Sequence, residues 1–333
     1  MKKHIYIYSP SGAVRDKAAF KRGVARLQVL GHEVEIDTAA LASHLRFAGD
    51  DETRLAAIHR AAASGADVAL VSRGGYGLSR ILGGIHYKKV AKAIEQGMLF
   101  VGISDFTAFQ NAVLARTGGI TWAGPALCEG FGVGGKLDLL DGQHHVEEMK
   151  PDDIMEACFD DLIRGQGEGA GWRQQREKDP ETTNSSPARK EQGQVATGVA
   201  LKDAVLWGGN LSVLTSLLGT PYFPQVKRGI LFLEDVAEHP YRIERMLTQL
   251  LHAGVLGCQK AIVLGQFTDI KLVPHDRGYK LATVVQWLRQ QIKAPVITNL
   301  PYGHVATKVL LPVGARTDLL LEGRDALLFW GHL

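Results

Sequence analysis

Cysteine is scarce: Cys128, Cys158 and Cys258 are the only three in 333 residues. They are odd in number and far apart. That excludes a disulfide framework and matches no zinc-ligand spacing, so buried, reduced thiols are expected. The chain also lacks any run approaching the ~18 apolar residues of a membrane-spanning helix. Met1-Lys2-Lys3 leads into a short apolar stretch at 4–8 and then Ser-Pro-Ser-Gly, where a secretory leader needs an apolar run of about 7–15 residues. A cytoplasmic protein is therefore expected. An excess of one charge is missing too. Lys and Arg number 38 against 35 Asp and Glu, for a net charge of +3, and the two signs are interspersed. With no long basic run to follow a phosphate backbone, neither nucleic acid nor a membrane is an expected partner.

What is present is the composition of a soluble globular chain, 45% hydrophobic and 22% charged. The length favours two domains, since single cores rarely grow beyond ~250 residues. In the first third, strand-like runs at 5–8, 33–37, 68–71 and 99–102 alternate with helical patterns at 14–30, 52–63 and 106–116. Phe20, Val24 and Leu27 share one helical face, and Gly31 ends that helix. Such alternation predicts an α/β fold with a parallel sheet covered on both faces. Residues 165–194 then contain no Val, Ile, Leu, Met or Phe, so they bury too little to offset the entropy of ordering them. A partly mobile connection is expected there, between an N-terminal domain at 1–164 and a C-terminal domain at 195–333. In the latter, Ile243, Met246, Leu247, Leu250 and Leu251 recur at helical spacing, with Pro240 suited to the first turn and Gly254 to the stop. Strands are expected at 195–207, 229–233, 261–264, 296–298, 308–311 and 318–321, and a further helix at 279–292.

Three sites place polar residues where an apolar strand ends, the edge at which open α/β sheets bind ligands. Ser104 closes the run Leu99-Phe100-Val101-Gly102-Ile103 at a strand-to-helix turn, where backbone N–H groups of the next helix could face an oxyanion. It departs from the G-x-S-x-G elbow, because Phe106 replaces the second glycine, and a plain helix N-cap would look the same. Glu234 and Asp235 close the apolar run 229–233, and fit a metal, a triad acid or a structural cap. His304 follows Leu300-Pro301-Tyr302-Gly303, and alone reads most simply as a surface residue. Taken together the order is Ser, Glu, His, one that unrelated hydrolases use. Ser212, beside Gly208-Gly209-Asn210, is the alternative serine.

Arg73-Gly74-Gly75-Tyr76-Gly77 follows the run at 68–71, and its glycines permit close approach of backbone to a ligand. It lacks the G-K-[ST] ending of a phosphate loop and fits G-x-G-x-x-G only loosely, so nucleotide binding is not expected. His144-His145, with Asp138, Asp141, Glu147, Asp152 and Asp153 nearby, matches no metal-ligand spacing and reads as a solvated loop.

These motifs, in order from Ser9-Pro10-Ser11-Gly12 through Arg73–Gly77, Gly102–Asp105, Gly208–Ser212, Leu233–Val236 and Pro240–Ile243 to Gly303-His304, resemble the LD-carboxypeptidase family. Its members are the muramoyltetrapeptide carboxypeptidases of cell-wall recycling. One departure is Ile103, where the family usually carries Tyr, and the polar connection is longer than the resemblance leads one to expect. The resemblance implies a flavodoxin-like N-terminal domain supplying the nucleophile. A smaller C-terminal α/β domain would supply the acid and histidine across an interdomain cleft. It further implies Ser104 as nucleophile, Glu234 as acid and His304 as base, with the backbone N–H groups of Gly74 and Asp105 as the oxyanion hole. Arg73 and Gly75 are candidates for binding the substrate. No metal or cofactor is implied, and a homodimer is.

The implied substrate is a murein tetrapeptide, free or sugar-linked, cut at the L,D-peptide bond before its terminal D-alanine. Two other readings share the scaffold: a microcin-immunity-type peptidase acting on aminoacyl-nucleotide conjugates, and a catalytically silent peptide- or sugar-binding protein.

Overall fold

Val68–Val71 takes no solvent at any of its four residues, and Ile5, Ile7 and Tyr8 are equally inaccessible. Strands this apolar on both faces are stable only at the centre of a covered parallel sheet. The computed structural model, which describes residues 2–134, 138–140, 143–145, 150–174 and 198–333, places them there. The parallel strands are β1 (His4–Tyr8), β2 (Glu33–Ile36), β3 (Val68–Val71), β4 (Leu99–Gly102) and β5 (Thr121–Ala123). They lie in the order β2-β1-β3-β4-β5, and an antiparallel edge strand, Leu311–Val313, follows β5. This is the flavodoxin order, in which the strand sequence reverses between β1 and β3 and leaves a crevice at their carboxyl ends. The Ser9–Gly12 segment, the glycine loop at 72–77 and Ser104 all follow the carboxyl ends of β1, β3 and β4.

Two compact units form from non-contiguous segments. The first comprises Met1–Gly167, Ser216–Gln225 and Val305–Gly314; the second comprises Glu168–Thr215, Val226–His304 and Ala315–Leu333. Stretches 216–225 and 305–314, both within 195–333, thus pack with the first unit. Lys308, only 2% exposed, pairs with Glu129 at 3.2 Å, and Thr307 donates to Asp152 at 2.6 Å.

The second unit holds a seven-stranded mixed sheet. Strand Ile230–Val236 runs parallel to Val199–Asn210 on one side and to Ala261–Thr268 on the other. Helix Pro240–His252 starts with proline, which sacrifices no hydrogen bond in the first turn, and buries Ile243, Leu247 and Leu250. Trp207 is fully buried and satisfies its ring N–H on Gln259 at 3.0 Å.

The polar connection expected over 165–194 begins as sheet instead. Gly169–Arg173 pairs antiparallel with Asp325–Phe329 as the edge strand, and the indole N–H of Trp172 donates to the Thr298 carbonyl at 2.9 Å. Only Ala170 of this strand is buried, so it carries almost no hydrophobic signal; a partner about 155 residues away supplies its ladder. Residues 175–194 lie outside the described residues. So do Asp141, Glu147 and the side chains of His144 and His145. The strand expected at 308–311 runs over Leu311–Val313, and the one expected at 318–321 extends over Arg316–Glu322.

Candidate active site

In the first unit, Ser104 follows β4 after Ile103 and adopts φ 66°, the left-handed region that a serine rarely occupies. Such strain is retained at turns that aim a functional side chain. The turn is fixed by hydrogen bonds from the Phe106 N–H to the Ile103 carbonyl at 3.2 Å and from the Thr107 N–H to the Ser104 carbonyl at 2.9 Å. Helix Phe106–Thr117 follows. Asp105 opens it with a side chain only 2% exposed, whose Oδ2 accepts the Leu78 N–H at 2.9 Å. Burial pushes its carboxyl above the usual range, against the opposing hydrogen bonds from Leu78, Ser11 and Gly77 and the charge of Arg54. This side chain ties the serine turn to the end of the glycine loop.

Gly74 lies against the serine itself. A β-carbon there would sit 2.8 Å from the Ser104 Oγ, so no other residue fits without moving the serine. The loops are stitched to one another by the Gly12 N–H, which donates to the Gly74 carbonyl at 3.2 Å, and by the hydroxyls of Ser9 and Ser72, 2.5 Å apart. Ser9 spends its own proton on the Ala40 carbonyl at 2.6 Å, so Ser72 is the donor of that pair. Among the described residues, the N–H groups of Gly74 and Asp105 donate to no backbone carbonyl. A β-carbon on Gly75 would meet the Gly12 backbone at 3.1 Å. Half-buried Arg73 makes one hydrogen bond among the described residues, from Nη1 to the Ala13 carbonyl at 3.0 Å, and no ion pair. Burial lowers its pKa, with the neighbouring charge of Arg15 acting in the same direction.

In the second unit, Glu234 has no solvent exposure, and its Oε2 lies 2.9 Å from His304 Nδ1. The loop carrying the histidine hangs on strand Ala261–Thr268. Gln266 N–H donates to the Tyr302 carbonyl at 2.9 Å, Leu300 N–H to Leu264 at 3.1 Å, and the Gln266 side chain to the Leu300 carbonyl at 3.0 Å. Gly303, at φ 138°, turns the chain into His304, and a β-carbon on it would stand 3.1 Å from Glu234 Oε2. A carboxylate on Nδ1 favours the tautomer that carries its proton on Nδ1 and its lone pair on Nε2.

Asp235 and Ser212, the other acid and the other serine of these segments, are bonded to each other. Asp235 does not contact His304 in the manner of Glu234. It accepts both the N–H and the hydroxyl of Ser212, at 3.0 and 2.6 Å, so Ser212 is engaged as a donor to a carboxylate. Asn210, prominent in the sequence only as part of a motif, donates from Nδ2 to Glu234 Oε1 at 3.1 Å and to Asp235 Oδ1 at 2.9 Å. Its place directly opposite Glu234 in the strand register could not be read from either segment alone. Among the described residues no three His, Cys, Asp or Glu side chains gather as metal ligands. Of the cysteines expected to be buried, Cys128 and Cys158 are half-buried and Cys258 is exposed, since it ends a surface turn at 256–258. Burial raises the Cys128 thiol to about 12, with Arg73 opposing. No helix among the described residues is long and apolar enough to cross a membrane.

Two family models match the chain: the LD-carboxypeptidase N-terminal domain over residues 5–124 and the LD-carboxypeptidase C-terminal domain over residues 203–319. The crystal structure of a muramoyltetrapeptide carboxypeptidase from Oxalobacter formigenes is 34% identical, covers 98% of each chain and superposes with a TM-score of 0.80. The murein tetrapeptide carboxypeptidase of Pseudomonas aeruginosa is 27% identical over 96% of this chain and 93% of its own length. The microcin C7 self-immunity protein of Escherichia coli is 25% identical over 70% of this chain and 65% of its own.

Proposed function

Because the chain belongs to the LD-carboxypeptidase family, we propose that it is a serine carboxypeptidase that releases terminal D-alanine from murein tetrapeptides during cell-wall recycling. Ser104 is the nucleophile, His304 its general base and Glu234 the acid that orients the imidazole. The observation that supports this most is the Nδ1 of His304 held 2.9 Å from a carboxylate with no solvent exposure. The strained turn at Ser104 beside Gly74 supports the nucleophile.

His304 Nε2 takes the Ser104 proton as Oγ attacks the carbonyl of the diamino acid. The backbone N–H groups of Gly74 and Asp105 receive the developing oxyanion, each contributing about 3 kcal/mol of barrier lowering. His304 then protonates the leaving amine, the C–N bond breaks, and D-alanine departs from the acyl-enzyme. Water attacks the ester with His304 again as base, and Ser104 recovers its proton as the shortened peptide leaves. The buried Glu234 stabilises the imidazolium in both steps. No step calls for a metal or cofactor. The setting is cytoplasmic and the assembly a homodimer.

The test is mass spectrometry of a murein tetrapeptide incubated with the protein. Loss of one alanine is the expected result. An intact peptide alongside hydrolysis of an aminoacyl-nucleotide conjugate would move the chain to the microcin-immunity activity. Binding without cleavage of either would make it a silent receptor.

A further inference from the structure

Asp235 is a buried acid for which the mechanism above has no use. It is 4% exposed, and among the described residues it has no cationic partner. A buried charge persists only when other groups satisfy it, and here four neutral donors do so. Oδ1 accepts Asn210 Nδ2 at 2.9 Å and the Val236 N–H at 2.9 Å; Oδ2 accepts the Ser212 N–H at 3.0 Å and its hydroxyl at 2.6 Å. The adjacent Glu234 shares one of these donors, since Asn210 Nδ2 also reaches its Oε1 at 3.1 Å. In a regular strand consecutive side chains point to opposite faces. Both acids nonetheless meet one amide, at the point where the register against strand Ala261–Thr268 shifts and Gly265 and Gln266 of that strand oppose Glu234 alone.

We infer that Asp235 is a positioning residue, which through Asn210 holds Glu234 in the orientation that Glu234 imposes on His304. The inference rests on the proposed triad. Asn210 Oδ1 is committed to the Val213 N–H at 3.1 Å, and its NH2 group faces a carboxylate on each side. An amide flipped by a half-turn would present its oxygen to two anions. With Asp235 in place only the donor fits, and Glu234 Oε1 is pinned while Oε2 remains for His304 Nδ1. Asp235→Asn destroys this arrangement. The new amide must set its own NH2 against either the Asn210 NH2 or the donors of Ser212, so one contact becomes donor against donor.

The experiment is a double-mutant cycle on tetrapeptide hydrolysis with Asp235→Asn, Asn210→Ala and the pair, reading kcat and KM separately. Each single change should lower kcat about 10- to 100-fold, the usual cost of removing a group that holds a functional side chain in place, with KM within about twofold. Because the two act in series, the pair should cost no more than the worse single change, whereas independent structural roles would multiply. A parental kcat in Asp235→Asn, or multiplicative losses, overturns the inference. Should Asp235→Asn not yield folded protein, Ser212→Ala takes its place in the cycle. It should cost about threefold in the parent and nothing beside Asn210→Ala, in line with the modest worth of one hydrogen bond; equal losses in both backgrounds overturn the inference. Glu234→Gln, measured in parallel, separates the two claims. Parental turnover there removes the triad and this inference together, while a collapse there beside an unaffected Asp235→Asn removes the positioning role alone.

Discussion

Gly74 and Ser104 approach so closely that a β-carbon on residue 74 would lie 2.6 Å from the β-carbon of the serine. One of the two segments must therefore move when residue 74 acquires a side chain. Gly74→Ala should lower kcat by about 10²–10³, the range measured for loss of an oxyanion donor, and destabilise the protein by about 1–3 kcal/mol through overpacking. Gly257→Ala is the control, because a β-carbon there meets nothing within 4 Å. Steady-state kinetics and thermal unfolding on both variants check this. Parental kinetics for Gly74→Ala would detach the glycine loop from the reaction.

Ser104→Ala should reduce turnover by ~10⁴ or more while leaving the fold intact, as loss of a triad nucleophile does. Ser212→Ala removes only a hydroxyl bonded to Asp235 and should cost a few-fold at most. The reverse pattern, with Ser212→Ala dead and Ser104→Ala active, would transfer the nucleophile to Ser212.

The strands that carry the site were legible because they are apolar on both faces. The runs at 5–8, 68–71 and 99–102 hold almost nothing else, and the helix at 240–252 has unambiguous spacing. Ser104, Glu234 and His304 stand in the sequence as polar groups near the ends of such runs, and the roles proposed for them rest on the resemblance carried by the order of motifs. Features that depend on register were not legible. Gly169–Arg173 becomes a strand only because Asp325–Phe329 offers it a ladder. The register shift at Gly265 and Gln266, opposite Glu234, and the placement of Asn210 on its other side belong to strand pairs rather than to any one segment. The burial of the Asp105 side chain leaves no signal in its own segment, because its contact with Leu78 links residues 27 positions apart.

Asp37 makes acid stability testable. It is 3% exposed and accepts Arg60 Nε and Nη2 at 2.7 and 2.9 Å, the Tyr6 hydroxyl at 2.6 Å and the Ala39 N–H at 2.8 Å. Burial alone would raise its carboxyl, but these bonds outweigh burial and hold it below the usual range. A depressed pKa contributes stability that is complete above the unfolded value of about 3.9 and is lost as the pH falls through the folded one. Asp37→Asn should therefore lower the unfolding temperature at pH 6. The gap to the parent should narrow as the pH falls below about 4 and close below the depressed folded value, where the parent carboxylate itself takes a proton. A gap unchanged between pH 6 and pH 3 would show that packing, not charge, sets the contribution of Asp37.

A carboxypeptidase must recognise a chain end, and a carboxylate taken from water is costly unless it is paired. Arg73 neighbours Gly74 in the chain, is half-buried, and among the described residues has one carbonyl and no carboxylate as partner. Its guanidinium therefore retains the fork that grips a carboxylate through two parallel hydrogen bonds, each worth roughly 1.5–3 kcal/mol. A structural role in the glycine loop is the competing explanation, and the bond to Ala13 provides for it. Arg73→Lys keeps the charge but loses the fork. If Arg73 reads the substrate, this change should raise KM for the tetrapeptide about tenfold or more, as loss of one charge-assisted bond would. A tetrapeptide amidated at its C-terminal D-alanine should be a poor substrate for the parent and nearly indifferent to the change. Equal sensitivity of the acid and amide substrates would leave Arg73 only its structural bond to Ala13.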